Sequence, residues 1–237
     1  MSRGFADNLR FYFITDDQAP GISLARQVET ALAAGATCVQ YRDKQFSIND
    51  MPTLEAIRDL CRRHLVPFII NDDILLAKAV AADGVHLGQT DASPAVAREV
   101  LGPSAIIGVS VSTFDELNAT DLGSCNYIGT GPVYETNTKA DAKQVIGLSG
   151  LTAIVEKAVL PVVAIGGVNA QNVADCMAHG AAGGAVISCI TRAEIPEQAA
   201  LDFARASGVS PRQLMSAWQD EFSLIETFLN PLPADDA

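Results

Sequence analysis

Positive charge is scarce in this 237-residue chain. Sixteen Lys and Arg face 28 Asp and Glu, for a formal net charge of -12. A nucleic acid or an anionic membrane surface needs a positive partner surface, so neither is expected as a ligand. A small anion is not excluded, because a few cations can dominate one pocket. Histidine is also sparse. His64, His86 and His179 are too scattered for a zinc site. The five cysteines include no C-x-x-C pair, and their number is odd. Buried free thiols and a reducing cytoplasm are therefore expected. No apolar run approaches the ~18 residues of a membrane span. The N-terminal MSRGFADNLRFYFITD has too short an apolar stretch for a signal peptide. No G-x-G-x-x-G follows the first strand-like run, which weakens the case for a doubly wound dinucleotide fold.

What is abundant is aliphatic sequence in short runs. Strand-like segments occur at 11–15, 37–41, 67–70, 84–87, 105–110, 126–131, 161–167 and 184–188. Between them apolar residues recur three and four apart, as in Leu24, Val28 and Leu32, or Leu54, Ile57 and Leu60. Near-continuous apolar strands alternating with helices indicate a parallel sheet covered on its outer side. Eight such units predict a single (β/α)8 TIM barrel over 1–207, with an open doubly wound sheet as the runner-up. Spacings of roughly 17 to 35 residues are too uneven for a solenoid. The remaining 208–237 reads as an added amphipathic helix, with a stripe of Leu214, Trp218, Phe222, Ile225 and Leu229. That stripe is expected to dock on the barrel itself or on a second copy in a homo-oligomer.

In such a barrel, polar residues at the C-terminal ends of strands are the active-site candidates. Asp72 and Asp91 fall on one rim, past neighbouring strands three and four. Either alone reads well as a helix cap. Together, with cations nearby, they read as a shared site for a hard divalent cation such as Mg2+. Asp73 is the better cap and would leave Asp72 for the metal. Gln40, Arg42 and Lys44 share parity on strand two, so alternation sends them to one side. Three inward polar residues there are costly unless they meet an anion or a metal-bound phosphate; the other reading is a surface strand end with ordinary salt bridges. Gly166-Gly167, followed by a helix with Asn169 near its start, is a candidate phosphate cradle, joined by Ser188 after strand eight. The loop carrying Thr136, Thr138 and Lys139 reads as a lid or as an ordinary loop. Two phosphorylated ligands, one a metal-bound diphosphate, would satisfy this rim.

The segments VQYRDK, INDD, GVHLGQTD, IGVS, IGTGPVYETNTK, VVAIGG and AVIS, in that order and spacing, closely resemble the thiamin phosphate synthase family, from about Tyr12 to Ile190. The resemblance implies a transferase that joins a hydroxymethylpyrimidine diphosphate to a hydroxyethylthiazole phosphate, with Mg2+, releasing thiamin phosphate and diphosphate. By motif it implies Asp72 and Asp91 as Mg2+ ligands. Arg42, Lys44, Asn71, Ser110 and Lys139 would serve the diphosphate and pyrimidine, with Gln40 near the pyrimidine. Thr136 and Thr138 would meet the thiazole, and Gly167, Ile187 and Ser188 its phosphate. The implied mechanism is dissociative, so the catalytic set, Arg42, Lys44, Ser110 and Lys139, compensates charge rather than moving protons. His86 is expected as a hydrogen-bonded core histidine. The chain departs from the family where Ser-x-His reads Ser110-Val111-Ser112, and where Arg-Glu-Lys reads Arg42-Asp43-Lys44. Two other readings stand beside this one: the related thiazole tautomerase branch, and a non-catalytic barrel that binds thiamin precursors.

Overall fold

In the computed structural model, residues 5–136 and 144–210 are described. Their strands are β1 (Phe11–Ile14), β2 (Cys38–Tyr41), β3 (Phe68–Asn71), β4 (Gly84–Leu87), β5 (Ile106–Ser110), β6 (Tyr127–Thr130), β7 (Val162–Ala164) and β8 (Gly183–Val186). All neighbours pair in parallel, and Phe11 pairs with Gly184 to close the barrel between β1 and β8. That closure excludes the open sheet. The helices are α1 (Leu24–Ala34), α2 (Met51–Arg63), α3 (Ile74–Ala79), α4 (Pro94–Leu101), α5 (Phe114–Ala119), α6 (Gly147–Lys157), α7 (Val173–Ala178), α8 (Ser188–Thr191) and α9 (Pro196–Ala206). No described helix is long and apolar enough to cross a membrane. The expected C-terminal stripe from Leu214 to Leu229 lies outside the described residues.

Alternation along each strand separates two apolar layers. Phe11, Phe13, Val39, Phe68, Ile70, Val85, Ile107 and Ile128 pack outward against the helices. Tyr12, Ile14, Cys38, Ile69, Tyr127, Val163 and Ala185 fill the interior. Local signals fix the helix ends. The Ser23 hydroxyl accepts from Arg26 N to start α1, and Gly35, at φ 109°, ends it in a left-handed turn. Asp73 caps α3, accepting from Leu76 N, and Ser93 caps α4. Neither Asp72 nor Asp91 is used as a cap, which leaves both free for the rim.

Away from that rim, one side chain holds two loops. Arg98 of α4 donates to the carbonyls of Gly102, Pro103, Ala105 and Ser124 and to Asn126 Oδ1, at 2.7–3.1 Å. Asn126 Oδ1 in turn accepts from Ile107 N at 2.8 Å. Removing a charged donor takes a bond from each of these acceptors. Arg98→Ala is expected to cost about 3 kcal/mol, seen as a lower urea midpoint at unchanged slope. A loss below about 1 kcal/mol would contradict the clamp.

Candidate active site

The strands hold their inward residues in layers, and the upper layers are polar. A cavity of about 860 Å³ opens there, lined among others by Gln40, Asn71, Asp72, His86, Ser110, Thr136, Gly167, Ile187 and Ser188. Its size suits a small-molecule site. Room for it comes from glycine. Gly108 lies against the Tyr127 ring, and Gly129 against His86.

One side is carboxylic. Asp72 N donates to His86 O at 2.8 Å, which pins the β3 end to β4. Asp72 itself adopts φ 65°, a left-handed conformation costly for a non-glycine residue. Such strain is held where the fold needs a side chain aimed. Lys44 Nζ reaches Asp72 Oδ2 at 2.6 Å. Gly88 N donates to Asp91 Oδ2 at 2.6 Å. The Asp72 and Asp91 carboxyls are close enough to influence each other's ionisation. Burial opposes ionisation of Asp72, but Lys44 and Asp91 hold its carboxyl below the ordinary value. Burial raises Asp91, and the facing Asp72 carboxylate raises it further against the Gly88 N–H. Two adjacent hard oxygen donors, one of them with its charge disfavoured by the other, are suited to a shared divalent cation completed by water and phosphate.

Alternation carries Gln40 inward, buried, but not Arg42, because β2 ends at Tyr41. Arg42 Nη1 lies 3.6 Å from Asp17 Oδ1 and does not line the cavity. Lys44, past the strand, returns to the rim through Asp72. Thr138 and Lys139 lie outside the described residues.

The interior carries a chain of hydrogen bonds whose members are distant in sequence. Tyr12 OH meets Tyr127 OH at 2.7 Å, Tyr127 OH meets His86 Nδ1 at 3.0 Å, and His86 Nε2 meets Ser110 Oγ at 2.9 Å. Burial pushes both phenols well up, so they stay neutral. If Tyr127 donates to Nδ1, the Nε2–H donates to Ser110, and the Ser110 proton is left for a ligand. His86 is thus a hydrogen-bonded interior histidine, as expected, and it also holds Ser110. Ser112 Oγ donates to Gly131 O at 2.6 Å, so this position supplies a loop tether and no titratable base.

The opposite side is the glycine turn. Gly166 and Gly167 have φ 87° and 66°, and a Cβ on Gly167 would lie 2.5 Å from Glu135 O. A side chain there is excluded by both conformation and space. Among the described residues, the Gly167 N–H donates to no protein acceptor. The helix expected directly after this turn begins only at Val173. Asn169 instead closes a turn, accepting from Gln171 N, while Asn172 Nδ2 holds Gly167 O at 3.0 Å. The α7 dipole is therefore too remote and too short to serve the cradle, and backbone N–H groups remain.

Gln89, Glu135 and Arg192, to which sequence reading assigns no role, also line the cavity. Gln89 Nε2 donates to Ser110 O at 2.6 Å. Arg192 pairs with Asp16, whose carboxylate is 2% exposed. Burial opposes that charge, but bonds from Arg192, Gln18 N and Thr191 outweigh it and lower the Asp16 carboxyl from the ordinary 3.8. A lowered folded value stabilises the fold above the unfolded value and loses that contribution as pH falls through the folded one. The stability gap between wild type and Asp16→Asn should be constant from about pH 7 to 5 and shrink below about pH 4. Urea titrations across that range check it, and a gap that ignores pH would refute the assignment.

Residues 11–190 match a family model described as thiamine monophosphate synthase. A thiamine-phosphate synthase of Vibrio campbellii is 40% identical over 191 residues, covering 80% of this chain and 94% of that protein. One of Methanospirillum hungatei is 43% identical over 181 residues, covering 76% and 88%. Among solved structures, a thiamine phosphate pyrophosphorylase from Pyrococcus furiosus superposes with a TM-score of 0.78 at 35% identity, covering 86% of this chain and 98% of that one.

Proposed function

Since this chain belongs to the thiamine monophosphate synthase family, matched over residues 11–190, we propose that it is a transferase that couples 4-amino-2-methyl-5-hydroxymethylpyrimidine diphosphate with 4-methyl-5-(2-hydroxyethyl)thiazole phosphate, giving thiamin phosphate and diphosphate. The observation that carries this reading is the two-sided cavity. Asp72 lines one side, with Lys44 paired to it and Asp91 beside it at the rim, and Gly167, Ile187 and Ser188 line the other.

In this assignment Mg2+ held by Asp72 and Asp91 would neutralise the departing diphosphate. Lys44 swings from Asp72 to the same oxygens, and Arg42 exchanges its long contact with Asp17 for them, joined by Lys139. Ser110, held by His86, donates its hydroxyl proton to the leaving group. Gln40 and Asn71, buried or half-buried at the strand ends, orient the pyrimidine. Diphosphate leaves first, and the pyrimidine methyl cation is stabilised by its electron-rich ring. The thiazole nitrogen then attacks, with Thr136 and, by family motif, Thr138 as the thiazole contacts, while Gly167, Ile187 and Ser188 hold the thiazole phosphate. Positioning and charge compensation carry such a reaction, with little need for a strong base. The absence of a base at Ser112 favours coupling over the tautomerase reading. Five free cysteines accord with a cytoplasmic setting.

The test is a coupling assay with purified protein, both substrates and Mg2+, following thiamin phosphate by its oxidised fluorescent product, beside a reaction with chelator. Metal-dependent product is expected. No product from folded protein that binds both substrates would support a non-catalytic binding barrel.

A further inference from the structure

Arg192 is the one lysine or arginine among the described residues that line the cavity. It follows Ser188 by one helical turn, and side chains in a helix lean back toward its start. Its guanidinium is held unusually firmly. Asp16 Oδ2 accepts from Arg192 Nε at 2.8 Å and from Thr191 Oγ1 at 3.1 Å, and Asp16 Oδ1 accepts from Arg192 Nη2 at 3.2 Å and Gln18 N at 3.1 Å. Behind it, Gln27 clamps the Asp16 backbone at both N and O, at 2.8 and 2.9 Å. A buried carboxylate is costly, so this network is an expensive way to hold one side chain that is still 41% exposed.

With the Nε–Nη2 edge turned to Asp16, the Nη1–Nη2 edge stays outward. Nη1 bonds none of the described residues. Two coplanar N–H groups on that edge match two oxygens of a phosphate. Because Asp16 neutralises the pair, recognition there works through directed donors rather than net charge.

We propose that Arg192 is a specificity-determining residue for the thiazole substrate, recognising its monophosphate through the Nη1–Nη2 edge with Asp16 as its anchor. This rests on the coupling reading above. The alternative is that the pair only ties the β1 loop to α8.

The experiment compares wild type, Arg192→Met, Arg192→Lys and the neutral double variant Asp16→Asn/Arg192→Met, which leaves no unpaired buried charge if the single variant fails to fold. Arg192→Met should raise KM for the thiazole phosphate on the order of 30-fold, with KM for the pyrimidine diphosphate within about twofold. Arg192→Lys should recover only part of the loss, since an ammonium has no fork. The double variant should show the same selective rise. An unchanged thiazole KM, or both KM values rising together, would overturn the proposal. A second measurement separates it from the function itself. The rise in melting temperature given by inorganic phosphate, without metal or pyrimidine, should fall by at least half in the Arg192 variants. Wild-type protein that makes no thiamin phosphate, together with this loss in the Arg192 variants, refutes the coupling reading and keeps Arg192 as an anion site. An undiminished phosphate effect refutes Arg192 whatever the activity.

Discussion

Asp91→Ala should lower Mg2+-dependent formation of thiamin phosphate on the order of 100- to 1,000-fold, the usual cost of losing one preorganised electrostatic partner of a developing charge. Asp91 is not a helix cap, since Ser93 takes that role. Its structural bond is to Gly88 N, within its own loop. Melting temperature should therefore stay near that of wild type. Removing Asp91 leaves Asp72 with Lys44 as its charged partner. Activity should then recover little at higher Mg2+, because a single carboxylate paired to an ammonium is a poor site for a hard cation. Steady-state rates across a Mg2+ series, with a thermal melt of each protein, check this. Wild-type turnover at low Mg2+ would remove Asp91 from the metal site.

Gly108→Ala should have the largest effect on the interior. An added Cβ would lie 2.1 Å from Tyr127 Cζ and 2.4 Å from its hydroxyl oxygen. Tyr127 is fully buried, so its ring has nowhere to go without moving neighbours. Overpacking of this kind costs about 3 kcal/mol. The shift also breaks the link from Tyr127 to His86, which leaves Ser110 without its fixed partner. Turnover should fall on the order of tenfold beyond any loss of folded protein. Combining Gly108→Ala with Tyr127→Ala should cost less than the sum, because the second change vacates the space that the first invades. Urea unfolding and single-turnover rates on the four proteins test the cycle. Additive costs would show that the clash lies elsewhere.

The barrel was legible because its signals are local and repeated. Apolar strands of period two and helices of period 3.6 are written in consecutive residues, and so are caps such as Asp73. Asp72 and Asp91 were legible for the same reason, as polar residues just past apolar strands. Alternation correctly turned Gln40 inward but gave no warning that β2 stops at Tyr41, which leaves Arg42 beside Asp17. The glycine turn was legible, and the helix after it was placed about four residues too early. Helix ends are decided by hydrogen bonds such as that from Asn172 to Gly167 O, not by composition.

By itself, then, the sequence determined the eightfold alternation, the two carboxylates, the glycine turn and, through its motifs, the family. Tertiary structure alone decided what meets across the barrel. Tyr12 and Tyr127 are 115 residues apart and Asp16 and Arg192 are 176 apart. No local pattern marks such pairs, because closing β8 on β1 brings them together. A buried tyrosine and a rim arginine look ordinary along the chain. They become a support for Ser110 and a fixed guanidinium only where burial removes water and leaves each polar group to find its partner in the protein.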